Sequence, residues 1–113
     1  MDKTDKWIFE RHAALCQTMA NPLRLEIINL LRDREIAAGD LAKLAGVAQA
    51  NMSQHLTILR ERGIVETRRE GTSIYYRLAD PKMLEAFDIL RAILIKQFQS
   101  EIDRLKLAAD RKK

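Results

Sequence analysis

Cysteine occurs once in the 113 residues, at Cys16, which excludes an internal disulfide framework and suits a reducing compartment. Histidine occurs twice, proline twice and glycine four times. No Ser-His-Asp or Cys-His constellation and no glycine-rich phosphate loop can be assembled from so few residues, so an enzyme is not expected, nor a cofactor. Few breakers and only one Trp, two Tyr and three Phe lean the chain towards helix. No apolar run approaches the roughly 18 residues of a membrane span. The opening MDKTDKW alternates in charge without an apolar stretch, so neither a signal peptide nor a membrane partner is expected, and a cytoplasmic location is.

What is present is ordinary for a folded protein: 47% hydrophobic and 32% charged residues, which argues against disorder. Residues 1–113 are expected to make one domain, and a domain of this size buries only about two-thirds of its unfolded surface. The formal charge is +4. Residues 1–53 hold 7 Lys/Arg against 7 Asp/Glu, whereas residues 54–113 hold 13 against 9, so the whole surplus lies in the second half. That placement is compatible with a polyanionic partner.

Helical spacing of Ile8, His12, Leu15 and Met19 predicts a first helix over 3–20, with Phe9, Ala13 and Cys16 on the adjoining strip. Asn21-Pro22 stops it and starts a second, because Asn caps a helix and Pro suits its first turn. Leu25, Ile27, Ile28, Leu30 and Leu31 make that second helix strongly apolar and central to a core, ending around 32–34. A short helix over 40–45, closed by Gly46, and a fourth over 49–62 form a helix-turn-helix spanning 40–62. Met52, Leu56 and Leu59 bury one face of the fourth helix and leave Asn51, Ser53, Gln54 and Thr57 towards solvent. Gly63 is its expected C-terminal cap. Residues 65–68 and 74–78 then read as a two-stranded hairpin, a wing within 64–79.

Asp80-Pro81 opens a last helix expected to run past Ala108. Leu84, Phe87, Leu90, Ile93, Leu94, Ile95, Phe98, Ile102 and Leu105 spread over more than one of its faces, whereas an amphipathic stripe covers about a third of a helix. The excess predicts a homodimer formed by residues 1–20 and 81–110, with help from Trp7, Ile8 and Phe9. The fold class expected is mostly α with a small β-hairpin, a winged helix-turn-helix.

A narrow helix followed by a basic ribbon is the equipment of a major-groove reader of double-stranded DNA. Gln49, Asn51, Ser53 and Gln54 carry the amides and hydroxyls that pair with base edges, and His55 fits a phosphate or base-edge contact. Arg60, Arg62, Arg68 and Arg69 are expected on phosphates or in the minor groove, fixing register. Arg77 is left open between that role and pairing with a neighbouring carboxylate. A dimer would present two such helices about 34 Å apart, matching a palindromic operator. The rival reading is a protein–protein module on the same frame, which the arginine-bearing wing disfavours.

The run Ala20-Asn21-Pro22-Leu23-Arg24-Leu25-Glu26-Ile27-Ile28, then Ser53-Gln54-His55-Leu56, Leu59-Arg60-Glu61-Arg62-Gly63-Ile64-Val65, Arg68-Arg69-Glu70-Gly71 and Tyr75-Tyr76-Arg77-Leu78, resembles the ArsR/SmtB family of bacterial winged-helix repressors. The resemblance covers roughly residues 8–100. It implies a homodimer that blocks promoters and releases DNA on a metal or redox signal. Two departures bear on that signal. The family's thiolate pattern at the third helix is Glu35-Ile36-Ala37-Ala38-Gly39-Asp40-Leu41 here, without a thiol. Its last-helix site becomes Asp80-Pro81-Lys82 and the stretch 93–96, without the His ligands. A zinc or arsenic site needs three or four N or S ligands, so metal sensing at either place is not implied. The Ser that often caps the reading helix is Ala48, and the position after Gly71 is Thr72.

His12 and Cys16, four residues apart, could hold a metal with a second copy's pair, and Cys16 could act as a redox thiol; the plainer reading places Cys16 in the core. The inducer is not named by the residues. A constitutive repressor or a competitor for other proteins' promoters, and a sensor with a ligand between the first and last helices, all stay open.

Overall fold

The computed structural model describes residues 1–112. They divide into two compact units, residues 1–81 and residues from Lys82 onward.

The first unit starts with α1 (Lys3–Met19), whose N-terminus is closed reciprocally. Asp2 Oδ1 accepts from the Asp5 amide at 2.9 Å and Asp5 Oδ2 accepts from the Asp2 amide at 3.3 Å. Asn21 then caps α2 (Pro22–Leu30), its Oδ1 accepting from the Arg24 amide at 3.1 Å with Pro22 in the first turn. A two-residue strand, β1 (Ile36–Ala37), leads into α3 (Ala38–Ala45). Gly46, at φ 69°, ends α3 in the left-handed conformation that costs glycine no steric penalty. The fourth helix is α4 (Gln49–Glu61), and Ala48 offers it no side-chain cap. At its far end Gly63 has φ 72°, and the Ile64 amide closes back on the Leu59 carbonyl at 2.9 Å.

Strands β2 (Val65–Glu70) and β3 (Ser73–Leu78) follow, joined by a two-residue loop in which Gly71 takes φ 62°. The sheet has three strands, all antiparallel, in the order β1-β3-β2. This corrects the two-stranded expectation: Ile36 and Ala37 pair with Tyr76 and Tyr75. A strand two residues long carries no alternation of its own and exists through a partner some 40 positions away. The protein is thus mostly helical with a small sheet, a winged helix-turn-helix.

The core of this unit is made by Ile27, Ile28, Leu31, Leu41, Met52, Leu56 and Leu59, each less than 2% exposed. They come from α2, α3, α4 and the turn after α2, and α4 packs on α2, α3 and β2. Complete burial of one such side chain is worth about 1.5–3 kcal/mol, so these residues fix α4 firmly.

The second unit holds α5 (Lys82–Gln97) and α6 (Gln99–Arg111). The single helix expected here is interrupted at Phe98, whose φ −112° and ψ 25° leave the helical range. Hydrogen bonds still bridge the interruption, from the Phe98 amide to Leu94 and from Ile102 to Phe98.

Candidate nucleic-acid interface

Spacing decides which way α4 faces. Met52, Leu56 and Leu59 are buried, as their 4-and-3 rhythm requires, so Asn51, Ser53, Gln54 and Thr57 are exposed on the other side. Ser53 accepts through its carbonyl from Thr57 Oγ1 at 2.9 Å, which turns that hydroxyl back onto the helix. Gln49 is exposed, and its Nε2 lies 3.7 Å from where a Cβ on Gly39 would stand, over the first turn of α3.

His55 behaves differently from its neighbours. It is half-buried, and its Nδ1 accepts from Arg24 Nε of α2 at 3.1 Å. Burial, and secondarily the Arg24 charge, push the imidazole below its ordinary value of 6.5. The ring is therefore neutral at pH 7 and bonded inward.

The wing sorts its arginines by strand alternation. Val65, Thr67 and Arg69 share one face of β2, opposite Leu78, Tyr76 and Ile74 of β3. Glu66, Arg68 and Glu70 share the other, opposite Arg77, Tyr75 and Ser73. On that second face the charges are consumed. Arg68 reaches Glu35 at 3.0 Å and Glu70 at 2.8 Å, and its guanidinium lies 4.7 Å from the centroid of the Tyr75 ring. The hydrogen bonds to Glu70 and Glu35 hold it above the usual arginine value. Arg77 pairs with Glu66 at 2.9 Å, which answers the open question about it in favour of the carboxylate.

Arg69 faces the other way and, among the described residues, makes no ion pair; the same holds for Arg60 and Arg62. An open cleft of about 330 Å³ lined by Thr57, Arg60, Glu61 and Tyr76 joins the end of α4 to β3. Tyr76 lies on the Arg69 face of the sheet, so Arg60 and Arg69 stand on the same side of the wing. Sequence reasoning grouped four arginines alike. The period-2 rule applied to 65–70 and 73–78 separates Arg68 from Arg69.

Two other expectations change. Cys16 is exposed, so the core position expected for it is not found: the inward side of this part of α1 is taken by Thr18 and Met19. His12 is exposed too, one turn away. Among the described residues no group of three or more His, Cys, Asp or Glu gathers as a metal would need. No helix among them is long and apolar enough to cross a membrane. Sequence reasoning gave Arg24 no role beyond its place in the family-like run 20–28; its partner lies 31 positions away.

Residues 21–67 match the model of the arsR family of bacterial regulatory proteins. The chain is 39% identical over 85 residues to the biofilm growth-associated repressor of Xylella fastidiosa, covering 75% of each protein. It is 34% identical over 79 residues to the transcriptional activator HlyU of Vibrio cholerae, covering 70% of this chain and 73% of that protein. In structure it is similar to a homodimeric winged helix-turn-helix DNA-binding domain from Mycobacterium bovis. The TM-score is 0.73 at 30% identity, over 83% of this chain and 87% of that one.

Proposed function

The chain belongs to the arsR family of bacterial regulatory proteins and is a winged-helix transcriptional regulator, and on that premise we propose that it is a homodimeric repressor of a palindromic operator. In this reading residues 1–20 and 81–110 make the dimer, 40–62 the helix-turn-helix and 64–79 the wing. Asn51, Ser53 and Gln54, with Gln49 at the helix start, face base edges in the major groove, where Asn and Gln pair bidentately with adenine. Arg60, Arg62 and Arg69 meet phosphates and set register. Arg68 and His55 support the reading surface from behind. The observation that carries the proposal is the coincidence of an exposed polar face on α4 with two unpaired arginines, Arg60 and Arg69, on one side of the wing.

Dimerisation is supported by apolar surface that water would otherwise cover. Trp7 and Phe9 are each 57% exposed on α1, and Ile89, Leu90, Ile93, Leu94 and Ile95 are exposed on α5. The signal is not the family's metal at its usual places. The start of α3 carries Ala37, Ala38 and Gly39 where thiolates would be needed, and α5 begins at Lys82 without histidine. His12 and Cys16 would give one chain only two donors.

A gel shift with DNA from upstream of the chain's own coding sequence tests the proposal. A discrete complex protected over two half-sites one helical turn apart, weakening steeply as salt rises, is expected. Failure to bind any such fragment at low salt would instead favour an interaction module. Reporter output from the same promoter, with and without the protein, separates repression from activation.

A further inference from the structure

We infer that Arg24 is a positioning residue that ties α4, through His55, to the C-terminal end of α1 and so sets the angle at which α4 meets DNA. This rests on α4 being the reading helix.

The geometry is a three-way clip. The Arg24 backbone is fixed in the first turn of α2 by the Asn21 cap. Its guanidinium then donates in two directions, from Nε to His55 Nδ1 at 3.1 Å and from Nη1 to the Thr18 carbonyl at 2.9 Å. Thr18 lies in the last turn of α1, where the final carbonyls lack partners within the helix. That turn contains no basic residue of its own, so Arg24 also supplies the cation that a helix C-terminus favours. Three helices are thus held by one planar fork, which a lysine ammonium cannot reproduce.

The His55 end of the clip depends on protonation. Nδ1 must keep its lone pair to accept, which places the ring proton on Nε2. Protonation would set an N–H and a positive charge against the guanidinium. The elements packed on α4 carry other charges: Glu26 on α2, Asp40 and Lys43 on α3, and Glu66, Arg68, Arg69 and Glu70 on β2. None of these is the charge that acts on His55, which is Arg24. Acidification therefore opens this contact with no neighbouring carboxylate to compensate.

The test is DNA affinity by fluorescence anisotropy at pH 7.5 and 5.5, on the upstream duplex and on a scrambled one. It is run for the wild type, Arg24→Lys and His55→Asn, whose Oδ1 can replace Nδ1 as acceptor. Wild-type affinity for the upstream duplex should fall about tenfold on acidification, the size of one charge-assisted hydrogen bond, with no fall on the scrambled duplex. Arg24→Lys should lose about tenfold already at pH 7.5, with its oligomeric state unchanged. His55→Asn should lack the pH step, its affinity at pH 5.5 matching its own affinity at pH 7.5. Nitrogen NMR of the imidazole, without DNA, should show the Nε2–H form with a bonded Nδ1, and that bond should vanish in Arg24→Lys. Affinity that rises on acidification, and does so only with His55 present, would make His55 a phosphate contact and overturn the clip. Variants indistinguishable from wild type in pH profile and NMR would overturn it as well. If no protein binds DNA at either pH although the NMR bond is present, what fails is the reading role of α4.

Discussion

The two compact units differ in how much of their apolar side chains they bury. Within residues 1–81, seven large side chains of α2, α3, α4 and the turn after α2 are less than 2% exposed, whereas Trp7, Ile8 and Phe9 of α1 and Leu44 of α3 stay exposed. In the unit from Lys82 onward, Ile89, Leu90, Ile93, Leu94, Ile95, Phe98, Leu105 and Leu107 remain exposed, Leu105 by 71%. The first pattern is what a folding core needs and the second is what an assembly surface needs. One chain therefore holds a packed core around α4, and apolar surface on α1, α5 and α6 that a partner would cover.

The contrast is sharpest under truncation and charge. Leu56→Ala leaves a cavity beneath α4 and should cost about 2–5 kcal/mol, out of the roughly 5–15 kcal/mol that hold a domain together. A chemical denaturation midpoint within error of wild type would show that the first unit's core does not carry the stability assigned to it. Ile93→Glu puts a charge on the exposed face of α5 and should leave folding of residues 1–81 intact while producing a monomer by sedimentation. Operator affinity should then fall by about 100-fold, because two half-sites no longer share one molecule. A variant that stays dimeric at micromolar concentration would remove α5 from the proposed seam.

His55 gives a smaller effect on stability as well as on binding. Its folded-state value lies below 6.5, so the unfolded chain takes up the proton first as pH falls. Its contribution is complete above about 6.5 and is lost as pH drops through the lowered folded value. Melting temperature should therefore decline over that window in wild type and decline less in His55→Asn.

Much of this is legible in the sequence, because the residues that carry it act locally. Asn21-Pro22, Gly46, Gly63 and Gly71 mark element boundaries through backbone preference alone, and Met52, Leu56 and Leu59 announce a buried stripe by spacing. What escaped depends on partners far along the chain. Strand β1 is made by β3, and the Arg24–His55 bond spans 31 positions. The exposure of Cys16 was missed for a related reason: helical spacing gives a face, but only packing says which neighbouring face goes inward. The interruption at Phe98 has no proline or glycine to signal it.

Within the wing the same division between satisfied and unsatisfied groups recurs at the scale of adjacent residues, and it yields the finest test. Arg69→Ala removes one phosphate contact from each protomer of the proposed dimer, so it should weaken operator binding about fivefold and reduce the slope of log affinity against log salt by about 1.8. Arg68→Gln should do much less. Its guanidinium already holds Glu35, Glu70 and the face of Tyr75, and strand alternation turns it away from the cleft at the end of α4. Exposed ion pairs of this kind contribute little to stability, so the melting temperature should barely move. Removing Arg68 also frees Glu35 and Glu70, and their released negative charge would lower affinity by less than about twofold, with a slope change well below that of Arg69→Ala. Equal slope changes for the two variants would mean that Arg68 leaves its carboxylates when DNA arrives, and that the pairing seen in the free protein is a resting arrangement of the wing.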